Sequence, residues 1–454
     1  GMFALSISFL YGVAIAASIA VSFTVLAALT LLPALLGFFG PRVLRRRDRR
    51  ALGEGQLRTS DEWPAWARWS GRLQRRPALY ASVAAAVMVL LAIPFFSMRL
   101  GSADAGSDPA STTTRKAYDL LAKGFGAGYN GPLQLVAQVS SPAQQAAFVR
   151  VQRAVAATPG VVGSTRPRFI AGRSAGLPGV ALADVYPKGS PQDVSTSNLL
   201  HTVRDRVVPA AARGSGLHVL VGGQTAIFDD FSTVLGRKLP LFFGVVVLLS
   251  FLLLMAVFRS LLIPTVAALM NLLSAAAAFG VITAIFQDGF GASLLGIDKT
   301  GPIEAFVPVM MFAILFGLSM DYEVFLVSRI YEEWHRRRDN REAVTHGLAA
   351  TGRTITAAAV IMVLVFGSFI LGGQRIIELF GVGLSSAVLL DAVIVRSALV
   401  PSLMLILGDA NWLIPAWLDR WLPRLNVEGA NARGSEPHAA PGRSEQPLPE
   451  PAAG

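Results

Sequence analysis

Two carboxylates stand where a lipid bilayer would least tolerate them. Asp321 and Glu323 lie inside the apolar run Phe316-Gly-Leu-Ser-Met-Asp-Tyr-Glu-Val-Phe-Leu-Val-Ser-Arg329, eight and six residues before its closing arginine. At about 1.5 Å of helix rise per residue, Asp321 would sit roughly 12 Å inside that end. A carboxylate there costs at least about 2.5 kcal/mol on insertion scales, so it should face protein or water and have a partner. Surroundings of low dielectric also disfavour its charged form. These are the properties of a group that loads a proton on one side of a bilayer and releases it on the other. Tyr322 can donate a hydrogen bond to such a carboxylate, and Gly317 and Ser319 let a neighbouring helix approach closely. An Asp–Arg pair stabilising a helix end fits the same spacing and stays open. Glu323, two residues on, points away from Asp321 on a helix and is either a structural partner or a relay member.

A second charged pair, Asp391 and Arg396, occupies the last apolar run. The two are five residues apart, which does not put them on one tight face of an α-helix. Arg396 precedes Pro401 and could snorkel toward the cytoplasm. Asp391 could pair with Arg396 or lie near Asp321 across a bundle, and spacing does not choose. Other candidates fade. Gly124-Phe-Gly-Ala-Gly128 has phosphate-loop glycines without the Lys-Ser/Thr ending, and reads as a flexible linker. Asp229 and Asp230 read as the start of a juxtamembrane helix. Trp63, Trp66, Trp69, Trp412 and Trp417 read as interfacial anchors. The absence of cysteine excludes disulfides and thiol chemistry. Five scattered histidines without metal-ligand spacing, and no converging nucleophile and base, leave no cofactor, metal site or enzyme activity to expect.

The elements that must hold these residues follow from hydropathy. Only 15% of residues are charged, against about a quarter in soluble domains, and the deficit is concentrated in seven runs long enough to span a bilayer. They lie near residues 9–39, 78–97, 238–258, 261–286, 303–329, 354–372 and 378–407. The excess of basic residues (+11) gathers beside these runs, as in Arg42 to Arg50, which favours topology-setting charge over nucleic-acid binding. The 41–77 segment carries eleven Lys and Arg, and the 330–353 segment has Arg336, Arg337 and Arg338, whereas the connection around 287–301 has only Lys299. The basic segments are therefore expected in the cytoplasm, which places 98–237 outside and the C-terminal tail inside a plasma membrane.

An odd number of spans with an external N-terminus is unusual. The first run, Gly12 to Gly40, and the last, Gly381 to Gly408, both open Gly-Val and both reach a Leu/Val-Pro-x-Leu close before a glycine. The first has Ser22 and Leu29 in roughly the places of Asp391 and Arg396, so the charges are additions to a shared apolar pattern. This suggests that the chain opens inside the final helix pair of an earlier half. The expected division is 1–40 as the last transmembrane helix of a missing first half, 41–77 as a basic cytoplasmic linker and 78–97 as a transmembrane helix. Then follow 98–237 as an extracytoplasmic domain, 238–408 as a five-helix transmembrane bundle, 409–425 as an interfacial segment and 426–454 as a disordered cytoplasmic tail. Within 98–237, strand-like stretches at 132–139, 161–170, 180–186 and 217–221 alternate with helical ones at 142–157 and 193–212. That βαββαβ order is the ferredoxin-like split unit.

Gly317-Leu-Ser-Met-Asp-Tyr-Glu-Val-Phe-Leu-Val-Ser-Arg-Ile330 resembles the second-half signature of the MMPL (mycobacterial membrane protein large) transporters of the resistance–nodulation–division superfamily. Gly352-Arg-Thr-Ile-Thr-Ala-Ala-Ala359, Phe366-Gly-Ser-Phe369, Leu390-Asp-Ala-Val-Ile-Val-Arg396 and Leu407-Gly-Asp-Ala-Asn-Trp412 agree with it. The resemblance implies a twelve-helix bundle in two halves, each with a porter domain after its first helix, of which this chain supplies the last seven helices and the second porter domain. It implies that Asp321 and Tyr322 are the second-half pair of a proton relay whose other pair is on the missing N-terminal half. Glu323, Asp391 and Arg396 are then relay members or structural partners. The function so implied is export of lipids or other hydrophobic molecules driven by the proton gradient, with the bilayer and the missing half as partners and a homo-oligomer left open. The competing reading is a lipid-sensing or scaffolding membrane protein of the same architecture.

Overall fold

The computed structural model describes residues 7–43, 64–172, 178–297 and 300–414. Among them, seven helices are long and apolar enough to cross a membrane. Helix α1 (Ser8–Phe39) touches the rest of the bundle only near its start, where Leu10 and Ala14 are buried. From Ile15 to Phe39 its side chains are exposed. A short amphipathic helix, α2 (Pro64–Arg75), precedes α3 (Pro77–Ala92), which begins with proline in the first turn, where its missing N–H is no loss. The 41–77 segment, expected as a linker, thus contains a docked helix. Most of the Arg42 to Arg50 cluster, together with Trp63, Trp417, Lys299 and the tail expected to be disordered, lies outside the described residues.

Beyond β1 (Leu100–Gly101) and α4 (Thr113–Phe125) comes an α+β unit. It comprises β2 (Leu133–Val139), α5 (Pro142–Ala156), β3 (Val161–Ser164), β4 (Arg168–Ile170), β5 (Gly179–Pro187), α6 (Val194–Thr202), a π turn, α7 (Val208–Ala212) and β6 (Val219–Gly222). The stretch expected as one strand over 161–170 is two, with Pro167 between them. The sheet order is β3-β5-β2-β6, β4 also pairing with β5, and every pairing is antiparallel. Alternate residues of β2 (Leu133, Leu135, Ala137 and Val139) are buried against Phe148 and Val151 of α5 and Leu200 of α6, the inner half of a period-two pattern. The glycine-rich 124–128 stretch is not a loose linker. A Cβ on Gly128 would lie 1.7 Å from the Pro187 carbonyl oxygen, and Tyr129 stacks on Tyr186 at 4.0 Å.

Strand β6 leads straight into α8 (Gln224–Phe258), so a single helix of 35 residues belongs to both the α+β unit and the apolar bundle. Its span was expected to begin only at 238. Asp229 and Asp230 lie in its first turns and tie it to α6 and the π turn. Arg204 grips Asp230 through both nitrogens at 2.5 and 2.8 Å, while Asp229 accepts from Ser197 and lies 3.1 Å from His201 Nε2. The remaining helices are α9 (Leu262–Ile282, extended by a π turn), α10 (Val307–Arg337), α11 (Asn340–Gly367), α12 (Arg375–Leu390), a π-helical segment (Asp391–Leu399) and α13 (Val400–Leu407). The basic 330–353 stretch, expected as a loop, is helical apart from a tight turn. Arg337 Nε pairs with Glu333 at 2.9 Å, one turn back, and carries α10 past the apolar run. Arg338 takes the left-handed conformation (φ +58°), and the Asp339 side chain then caps α11 by accepting from the Arg341 and Glu342 N–H groups.

Two fasteners close the ends of the bundle. At one end, β1 pairs in parallel with β7 (Ile303–Glu304), and buried Glu304 accepts the Ala103 N–H at 2.7 Å; burial pushes its carboxyl above the ordinary range. Beside it, Arg375 Nη2 lies 3.2, 3.0 and 3.2 Å from the carbonyl oxygens of Phe286, Gly301 and Pro302. At the other end, Trp412 Nε1 donates to Asn340 Oδ1 at 3.0 Å and stacks on Trp334 at 5.0 Å, so this tryptophan anchors to protein.

Between these ends, α3 and α9 approach through small residues (Ala81, Ala84, Ala277 and Gly280), because in lipid only close packing and hydrogen bonds draw helices together. A Cβ at Gly280 would lie 1.9 Å from the Leu91 carbonyl oxygen, a rigid obstacle. Gly280→Ala should therefore cost about 1–3 kcal/mol through overpacking. It should lower the thermal unfolding midpoint of the detergent-purified protein; an unchanged midpoint would show that the two helices can separate freely.

Candidate functional site

The apolar bundle encloses one connected set of polar side chains contributed by α9, α10 and the π-helical segment. Arg396 Nε donates to Asp391 Oδ2 at 2.7 Å, both side chains being about 3% exposed. Arg396 Nη2 donates to the Ser319 carbonyl and lies 2.7 Å from Ser319 Oγ. That hydroxyl lies 2.6 Å from Asn271 Oδ1 and 3.2 Å from Asp391 Oδ1, and Asn271 Nδ2 reaches Glu323 Oε2 at 3.4 Å. One guanidinium, two carboxyls, a hydroxyl and a carboxamide thus form a chain of hydrogen-bonding groups running from α12's extension through α10 to α9.

Backbone geometry explains the meeting of Asp391 and Arg396. In an α-helix a spacing of five turns side chains apart, and the sequence expectation was that they do not share a face. The segment Asp391–Leu399 is instead π-helical, and the Val400 N–H bonds to the Val395 carbonyl, five residues back. The wider turn brings residues five apart onto one face. Arg396 accordingly does not snorkel toward water. It is 3% exposed and held inside the bundle.

On α10, Ser319 and Glu323 are one turn apart and face inward, both buried. Asp321, midway between them in sequence, lies on the opposite face and is exposed, and no described residue hydrogen-bonds or ion-pairs with it. Tyr322 is half-buried at the border, its ring 5.7 Å from the Arg396 guanidinium carbon. The structure therefore brings Glu323, Asp391, Arg396 and the edge of Tyr322 together and leaves Asp321 outside that set. Asn271 was not anticipated. A lone carboxamide in Ala-Ala-Leu-Met-Asn-Leu-Leu-Ser-Ala was the signal available, since a polar group inside an apolar helix needs an internal partner.

What this arrangement can do is keep an ion pair inside the apolar bundle. An ion pair taken out of water is stable only while both partners and their remaining lone pairs are satisfied. Neutralising Asp391 would remove the carboxylate to which Arg396 donates. Among the described residues no cluster suited to a metal ion is present. Arg396→Met alone, leaving Asp391 buried and unpaired, should cost about 3–5 kcal/mol of stability, whereas adding Asp391→Leu should recover most of it. Denaturant unfolding of the unsubstituted protein and the two variants in detergent checks this; a neutral single variant would contradict the pairing.

Comparison with known proteins bears on the whole chain. The MMPL family profile matches residues 1–80 and 115–429. The membrane protein YdfJ of Bacillus subtilis is 36% identical over 94% of this chain and 57% of its own length. Two MmpL11 proteins are each 32% identical over 94% of this chain and 44% of their own. That of Mycolicibacterium smegmatis is named a mycolic acid-containing lipids exporter, and that of Mycobacterium tuberculosis a heme uptake protein. The chain thus spans about half the length of the curated relatives it matches. With seven apolar helices of spanning length among its described residues and this family match, the chain is a multi-pass membrane protein and belongs to the MMPL family of transporters.

Proposed function

We propose that the chain is the carboxy-terminal portion of an exporter that moves lipids or other hydrophobic molecules across the plasma membrane in exchange for protons. The observation that carries this reading is the network Glu323–Asn271–Ser319–Asp391–Arg396, enclosed in apolar helices, with Tyr322 at its border and Asp321 on the opposite, exposed face of α10. Ionisable groups inside spans are costly to keep and mark ion pathways by default. In this reading Asp321 and Tyr322 carry the proton, turned toward the surface that the other half of the protein would cover. Glu323, Asp391 and Arg396 are the inner groups whose pairing changes when the proton arrives. No cofactor is required; the gradient supplies the energy.

The same reading makes the α+β unit an extracytoplasmic porter domain. With β3 and β4 together in the place of one strand, its element order and the sheet order β3-β5-β2-β6 support a ferredoxin-like split. The basic turn of Arg336 to Arg338 at the far end of α10 supports a cytoplasmic placement for that end. Helix α8, shared by the unit and the bundle, would carry a shift at the charge network outward along one continuous helix. The lipid assignment is supported by the names that relatives carry, and the heme uptake name of one of them is why the substrate class is stated as hydrophobic molecules rather than lipids alone.

The test is export by the whole protein in its own membrane. Asp321→Asn should lower export at least tenfold at unchanged membrane abundance, and a protonophore should stop export by the unsubstituted protein. Export that persists in both conditions would remove the proton relay, whereas no export by the unsubstituted protein would leave a lipid-sensing or scaffolding role.

A further inference from the structure

The helix that carries the buried pair meets a proline, and the consequence falls on one carbonyl. Pro401 has no N–H, and its ring crowds the carbonyl four residues earlier, that of Ser397. Away from water such a carbonyl must find a donor within the protein. The donor comes from a distant part of the chain. Trp69 Nε1 lies 2.7 Å from the Ser397 carbonyl oxygen.

Trp69 stands on α2, outside the seven spans, and α2 is seated firmly enough to hold an indole in place. Its Leu73 is 1% exposed. Its Trp66 lies over Gly352 of α11, so closely that a Cβ there would be 2.4 Å from the indole. The Trp69 ring meets Tyr80 of α3 edge-on at 5.4 Å. Ser397 is the residue after Arg396, inside the π-helical segment that brings Arg396 to Asp391. An isolated π turn is an uncommon, strained alternative to α-helix and persists where other contacts favour it.

We propose that Trp69 is a positioning residue for the Asp391–Arg396 pair. By taking up the carbonyl that Pro401 leaves free, it holds the helix in the π form and keeps Arg396 aimed at Asp391 and Ser319. Trp69 touches neither proton nor substrate; it acts through the backbone at Ser397. The functional consequence rests on the proton-coupled reading, whereas the positioning itself does not.

The experiment therefore has two readouts on the whole protein in lipid nanodiscs or proteoliposomes. Trp69→Phe keeps the ring and removes the N–H. Backbone hydrogen exchange across residues 391–402 should become at least tenfold faster, and maximal transport rate should fall at least fivefold with KM for substrate unchanged. Arg72→Gln, at an exposed position of α2, should change neither by more than twofold. With Pro401→Ala present, Ala supplies an N–H to Ser397, so adding Trp69→Phe should alter exchange by less than twofold. Unchanged exchange in Trp69→Phe, or effects of Trp69→Phe and Pro401→Ala that simply multiply, would overturn the inference. Faster exchange in Trp69→Phe, together with an unsubstituted protein that shows no proton-coupled transport, would uphold the positioning and overturn the transport reading.

Discussion

A guanidinium and a carboxylate buried side by side in an apolar bundle impose most of what surrounds them. Neither can be left alone there, because an unpaired buried charge is far more costly than the pair is stabilising. Asp391 and Arg396 must therefore touch, and at a spacing of five they touch only if the helix widens into π geometry. The spare donors and acceptors of the pair must also be satisfied, which calls for Ser319 on the facing helix and, through it, Asn271 and Glu323. Small residues where helices cross, such as Gly280 of α9 against Leu91 of α3, let the helices around these groups pack closely.

The pair is linked to the outside of the bundle along two routes. On one side α10, which carries Ser319 and Glu323, packs with α8, the helix that begins in the α+β unit and is clamped there by Arg204 and Asp230. On the other, the backbone at Ser397 is held by an indole from α2. In the proton-coupled reading, this network, tied to helices at both ends, is the element through which a local change of charge becomes a movement elsewhere. Asp321 occupies the remaining side. Its exposed position, away from the inner network, leaves it directed at whatever covers that face of α10.

Much of the architecture was legible because a bilayer writes itself into hydropathy. All seven spans were located to within a turn or two at most ends. The α+β strands were found from alternation, as at Leu133, Leu135, Ala137 and Val139. What escaped was whatever depended on local departures from α geometry or on charged residues remaining helical. Hydropathy cannot see that α8 starts at Gln224 or that α10 continues through Arg336, since polar helices beyond the membrane surface look like loops. At the site, the charged residues announced themselves by being in apolar runs. Their mutual placement did not, because the five-residue rule assumed an α-helix where Pro401 and Trp69 favour a π turn. Asn271 and Trp69 were visible as residue types, but nothing along the chain connects them to Glu323 or to Ser397, 328 positions away from the indole.

The central claim is that protons move through this bundle in exchange for substrate. The most direct measurement is proton flux in liposomes containing the whole purified protein, with a pH-sensitive dye inside and an imposed gradient. Adding a transported hydrophobic substrate should speed dissipation of the gradient, and Asp391→Asn should abolish the increase while the protein remains folded. Substrate movement with no accompanying proton flux, in protein shown to be folded and correctly inserted, would contradict it.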